Sequence, residues 1–477
     1  MKQQVHEYII IGSGASGSII AHELTKAGAD VLMLEAGKRF SAATFPDNEL
    51  DANAQLMWNG GMDASADAST LFIRGKAVGG GTIINQCLLD RFDAMALDSW
   101  REKSGLPFFN SHDLATHYDA VESNLSLHHM EERDWNTNAR LYVKGFEQKG
   151  FGWAPLRRGQ SNCGTGNDCM TCLGGCPRSS KQSMLETFLP KAEAQGLKIQ
   201  SEFLVREVIH GPHLVSIAGY HKNVATTLYA KKVILASGAL GTTELLLRSR
   251  LQDRLPALGK GFYCHPQWMT IALFDELIDS HKGAFQTVKS DEPRFRKAGF
   301  KLENVFAGPI AIGLLKPGYG FEHQRFMRRY RNMACIEVAV RDQDPGTISL
   351  NKRDRLTINK PLSDVDRQKA ENGNQLVADM FHDIGANEVM TSPLQIGLHL
   401  MGGCAIGNDE RTSVVNEAFQ VHGMNNLYIA DSSVFPDAPG INPSLTIMAL
   451  SHQAAASILR QNSMQSATSK PTREAVL

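Results

Sequence analysis

Short apolar runs bounded by glycines and small residues recur along this chain. Tyr8-Ile9-Ile10-Ile11, Val31-Leu32-Met33-Leu34 and Lys232-Val233-Ile234-Leu235-Ala236 show no alternation of polar positions. They therefore read as strands buried on both faces of a sheet. Between the first two, Ile19, Ile20 and Leu24 fall at helical spacing, and a well-patterned helix over 241–248 follows the third. The runs 202–209, 215–218 and 226–230 read as further strands. Beyond residue 266 the character changes: strand-like runs at 270–274, 334–340 and 347–351 alternate with basic, loop-rich stretches such as Arg325 to Arg331. Residues 364–384 are helical, as are patches between 92 and 160 and the stretch from Lys181 to Ala194. Residues 38–72 look polar and loop-like, and Gln465 to Leu477 reads as a disordered tail. The pattern predicts an α/β fold with a discontinuous nucleotide-binding domain over 1–91, 192–265 and 396–464. A cover region over 92–191 and a second, largely antiparallel substrate domain over 266–395 complete it.

Candidate chemistry starts where the first strand meets the first helix. Gly12-Ser13-Gly14-Ala15-Ser16-Gly17 is a G-x-G-x-x-G turn in the strand–helix context that gives this motif its meaning. Gly12 permits the tight turn, Gly14 lets the backbone approach a pyrophosphate, and Gly17 lets helix and strand pack closely. The helix N-terminus then faces the phosphates. Glu35, with Ala36 beside it, ends the second strand 18 residues after Gly17, where an acid can accept hydrogen bonds from ribose hydroxyls. The motif alone does not choose between FAD and NAD. A second Gly-rich segment, Gly79-Gly80-Gly81 followed by Thr82 and Asn85, offers another place for backbone N–H groups to reach a cofactor. The late return of the chain to the sheet at 232–238 is typical of FAD folds. Near the end, Tyr428 to Ala430 delivers Asp431 at a strand's carboxyl end, in the usual ligand crevice, placed to bind a ribityl or diphosphate-linked hydroxyl. Asn442-Pro443 opens a helix whose positive end would favour an anionic reduced flavin ring.

Composition narrows the rest. Over 477 residues, 42% are hydrophobic and 21% charged, as in ordinary globular enzymes. A net charge of −1 gives no electrostatic case for nucleic acid or an anionic membrane as partner. No apolar run approaches the ~20 residues that cross a bilayer. The first strand starts near residue 7, leaving no room for a signal peptide, so a cytoplasmic location is expected. Four of the 8 cysteines, Cys163, Cys169, Cys172 and Cys176, fall within 14 residues, and Pro177 follows the last. That spacing resembles an iron–sulfur ligand run; zinc and plain thiols are the alternatives. Cys87, Cys264, Cys335 and Cys404 are isolated and read as packed, and His265 reads as structural.

Taken together, the chain resembles the glucose–methanol–choline (GMC) family of flavin oxidoreductases, in particular its cholesterol-oxidase-like branch. Four segments carry the likeness: the G-x-G-x-x-G start with Glu35, residues 75–85, residues 238–248, and the paired segments around His399 (397–404) and Asn442 (440–447). The resemblance implies a GMC-type, Rossmann-like FAD-binding fold, non-covalent FAD, and oxidation of an alcohol to a carbonyl with hydride passing to flavin N5. It makes His399 the base for the substrate hydroxyl, assisted by a pKa near neutral, and Asn442 its companion. It has Val205 present its backbone to the adenine, and Gly79, Gly80 and Asn85 line the flavin. The expected substrate is a sterol or other hydrophobic secondary alcohol first, then a sugar or long-chain alcohol. Cholesterol-oxidising members use a further glutamate, which has no evident counterpart here; Glu337 sits in a strand that need not face the pocket. Two alternatives keep the fold: a dehydrogenase relaying electrons through a cysteine-bound cluster to an acceptor protein, and a non-redox lyase.

Overall fold

The computed structural model describes residues 4–161, 163, 172–284 and 286–468, with side chains through residue 463. Strand β1 (Val5–Ile11) pairs in parallel with β2 (Val31–Leu34), which pairs in parallel with β3 (Lys198–Gln200). On its other edge β1 pairs in parallel with β6 (Val224–Leu235), and β6 carries β11 (Leu427–Ile429) beyond it. Ile10 lies opposite Met33 on one side and Ile234 on the other, and all three are completely buried. An unbroken apolar run needs two covered faces, and helices supply them. Helix α1 (Ala15–Lys26) buries Ile19, Ile20 and Leu24, and packs against the C-terminal helix α4 (Ser444–Thr468). The first half of β6 turns outward as an antiparallel meander with β4 (Phe203–His210) and β5 (Val215–His221), so the separate runs expected from 226 to 235 are one strand. Helix α2 (Gly238–Arg248) follows β6.

A second, mostly antiparallel sheet stands beside the first. Its spine is β7 (Lys260–Leu273), flanked by β9 (Met333–Val340) and β10 (Gln395–Gly402), with β8 (Phe300–Asn304) beyond β9. Every residue of β9 is buried. Helix α3 (Asp364–Asp383), N-capped by Ser363, covers one face through Val377, Met380 and Phe381. The opposite face looks toward the nucleotide sheet.

Three sequence expectations give way. Residues 38–72 hold a helix, Glu49–Leu56, capped by the Asn48 side chain, and a strand, Thr70–Phe72, that pairs in parallel with β10. Both are too short to leave a period. The helix expected from Lys181 begins only at Phe188. Lys181 is buried, its ammonium donating to the carbonyls of Ile83, Asn85 (3.0 Å) and Cys172 (2.6 Å) and its backbone bridging Gln160, and residues 184–187 form turns ahead of the helix. The last helix runs to Thr468, past the Gln465 where a tail was expected; residues 469–477 lie outside the described residues.

Candidate active site

A cavity of about 560 Å³ lies between the two sheets. One wall is backbone. Gly12 adopts φ +106°, and a Cβ there would fall 2.3 Å from the Ala236 carbonyl oxygen, so only glycine makes this turn. Gly17 does not line the cavity: a Cβ on it would meet the Gly12 oxygen at 2.0 Å, so it sets the helix–strand approach. The two Gly-rich segments touch, since a Cβ on Gly80 would lie 2.8 Å from the Gly14 Cα. Ser13 ties them together. Its hydroxyl donates to Glu35 (2.6 Å) and accepts from the Gly79 N–H (3.0 Å). Gly79 itself stays behind the wall, while Gly12, Ser13, Gly14, Ala15, Glu35, Ala36, Gly80, Gly81, Asn85 and Val205 line it.

This wall suits a pyrophosphate. Helix α1 has no side-chain cap at Gly14 and no acid in its first turn, so its terminal N–H groups are unclaimed by side chains. The buried Ser16 hydroxyl lines the cavity there without a hydrogen-bond partner. Glu35 accepts from the Ser13 N–H (3.1 Å) and the Gly37 N–H (2.8 Å), and burial pushes its pKa up. Asp431 has a similar setting at the start of α2. Its Oδ2 accepts from Gly238 N–H (2.8 Å) and Thr242 Oγ1 (2.5 Å), its Oδ1 from Ser433 N–H (2.8 Å), and burial raises its pKa too. Pro443 and Ser444 bring the start of α4 to the same cavity.

The other wall is made of side chains. Cys264 lies opposite two residues of β10, His399 and Leu400, because the register between β7 and β10 shifts there. This bulge holds His399 at φ +56°, a left-handed conformation for a non-glycine residue, and turns its ring into the cavity. Asn442, from the loop before α4, lines the same end. Its Oδ1 accepts from Lys301 Nζ (2.9 Å) and its Nδ2 donates to Glu303 Oε1 (3.4 Å). His399 and Asn442, named from the sequence as a pair, thus line one chamber. The expected near-neutral pKa of His399 does not hold: burial, assisted by the Lys301 charge, lowers it to about 3.

Several residues here went unnamed in the sequence or were set aside there, Glu337 because its strand need not face the pocket and His265 as structural. Glu337 faces the cavity, cross-strand from Glu303, and both are almost fully buried. Burial, with the Glu303 charge next, pushes the Glu337 pKa well above the usual carboxyl range. Lys301 is ion-paired to Glu303, and Gln286 Nε2 donates to both carboxyls, at 2.6 Å and 3.3 Å. His265, read as structural, has its Nδ1 at 2.9 Å from His399 Nδ1. Gln86 and Gln267 line the cavity with buried amide atoms that have no partner. One signal was available, a glutamate inside the otherwise apolar run 334–340; cross-strand proximity leaves no trace in a single strand's sequence. Beyond this polar end the cavity is apolar, with Met269, Phe306, Ile312, Leu315 and Ile396.

Of the cysteine cluster, Cys163, Cys172 and Cys176 are buried, and Cys169 lies outside the described residues. Among the described residues no group of three or more His, Cys, Asp or Glu is arranged to hold a metal ion. No helix among them is long and apolar enough to cross a membrane.

The N-terminal family model described as GMC oxidoreductase matches residues 7–267, and the C-terminal one matches 342–451. An uncharacterised GMC-type oxidoreductase of Sinorhizobium fredii is 28% identical, over 97% of this chain and 96% of its own. A cholesterol oxidase of Acinetobacter baumannii is 24% identical over 99% and 98%, and a long-chain-alcohol oxidase of Arabidopsis thaliana is 24% identical over 94% and 67%. Among solved structures, pyridoxine 4-oxidase from Mesorbium loti superposes with a TM-score of 0.74 at 16% identity, covering 95% of this chain and 99% of that one.

Proposed function

This chain belongs to the GMC oxidoreductase family, and we propose that its cavity binds FAD and oxidises the CH–OH group of an alcohol to a carbonyl. Family members bind FAD. The observation that carries the reading is a single cavity with two unlike ends. One is a glycine cradle with an uncapped helix N-terminus and an unpartnered Ser16 hydroxyl; the other is a buried polar cluster around His399 and Asn442. Bound FAD supplies the hydride acceptor. The chain's own residues handle the hydroxyl. His399 and Asn442 hold its oxygen at the polar end. The proton needs an acceptor, and a ring with a pKa of about 3 is a poor one near pH 7. The carboxylate of Glu303, which lines the cavity ion-paired to Lys301 and hydrogen-bonded by Asn442 and Gln286, is the acceptor we assign to it. The balance closes: the carbinol carbon loses hydride, the oxygen loses its proton to Glu303, and a carbonyl leaves. The apolar section beyond supports a hydrophobic alcohol, such as the sterol or long-chain alcohols named for two relatives.

The test is the visible spectrum of the purified protein, followed anaerobically as sterol, long-chain and sugar alcohols are added. Flavin bands that bleach with one of these classes, with one carbonyl formed per flavin, are the expected result. A colourless protein, or a flavin no alcohol bleaches, overturns the proposal.

A further inference from the structure

We infer that His265 is a positioning residue that fixes which nitrogen of His399 carries the proton, making His399 a hydrogen-bond donor toward the cavity. The inference rests on the reading of His399 as a substrate-facing group and follows from donor and acceptor accounting. The Gly440 N–H points at His265 Nε2 (3.0 Å). A backbone N–H can only donate, so His265 Nε2 is bare. The buried ring, neutral among Lys301, Arg296 and Arg341, then carries its proton on Nδ1. His265 Nδ1 lies 2.9 Å from His399 Nδ1, which must accept. A neutral His399 is left with its proton on Nε2. The reverse arrangement would set two N–H groups against each other at Gly440 in a buried site, leaving both unsatisfied. The relay therefore runs from the loop before α4, through β7, to the bulge of β10, and it joins the three segments that form the polar end. A donor at His399 steadies the alcohol oxygen and the carbonyl oxygen that replaces it.

The test uses the holoenzyme labelled with ¹⁵N in its histidine rings, with His399 resonances assigned by their loss in His399→Asn. Protonated Nε2 and bare Nδ1 at His399, with the opposite pattern at His265, are expected in the unsubstituted protein. A His399 protonated at Nδ1 overturns the inference. His265→Leu should release His399 to exchange between tautomers and lower the rate of flavin bleaching by alcohol about 10–100-fold. His265→Asn, whose amide still donates, should restore most of that loss and the single tautomer. A tautomer and rate in His265→Leu equal to those of the unsubstituted protein overturn it as well. If His265→Leu does not fold, the unsubstituted spectrum and His265→Asn decide. The ring spectrum needs no turnover, so failure of the alcohol panel would leave this result standing.

Discussion

The two walls of the cavity are built on opposite principles. The glycine wall works by what is missing: at Gly12 and Gly80, and at Gly17 behind them, there is no room for a Cβ, and recognition falls to backbone N–H groups. The sheet wall works by what is added. Six polar side chains (His265, His399, Lys301, Glu303, Glu337, Gln286) are buried or half-buried there and satisfy one another. A change in the first wall is a steric event that reaches the fold. A change in the second alters charge and proton positions and leaves the backbone in place.

The largest effect expected is Gly17→Ala. A Cβ 2.0 Å from the Gly12 oxygen must open the turn, at a cost at or above the about 1–3 kcal/mol of ordinary overpacking. Soluble yield and flavin content should both fall; a variant with full flavin would break the contrast between the walls. Next is Glu303→Gln. Its flavin content should match that of the parent while the rate of bleaching by alcohol drops by about 10²–10⁴-fold, read by anaerobic rapid mixing. An unchanged rate would remove Glu303 as proton acceptor. The smallest effect is on stability against pH. His117, whose Nδ1 lies 2.8 Å from His452 Nδ1, is held by burial at about 4, and His399 at about 3. Between those values and the ordinary imidazole pKa of about 6.5, the unfolded chain binds protons that the folded one does not. Stability should therefore rise with pH across that window and fall on acidification below about pH 6.5. Urea melts at pH 7 and pH 5 should show this, with a shallower fall in His117→Gln.

The same contrast explains what could be read in advance. Strand, turn, helix and acid are contiguous from Tyr8 to Glu35, so one local pattern encodes the glycine wall, and Gly12, Gly14 and Glu35 all line the cavity. His399 and Asn442 were named only because their flanking segments resemble a family. Lys301, Glu303 and Glu337 come from neighbouring strands whose pairing is fixed by tertiary register. The contact of His265 with His399 depends on a one-residue bulge, which no hydrophobic period records. The helix at Glu49–Leu56 was missed although Asn48, with Asp51 three residues on, was a legible cap.

The central event is cleavage of the alcohol's carbinol C–H bond. The decisive measurement is the anaerobic rate of flavin bleaching by an alcohol that works, compared with the same alcohol deuterated at the carbinol carbon. A several-fold slowing that persists in Glu303→Gln at a much lower absolute rate is the predicted result. It would show hydride leaving carbon at a centre whose proton acceptor has been removed. Bleaching with no isotope effect in either protein, and no dependence on Glu303, would contradict the account.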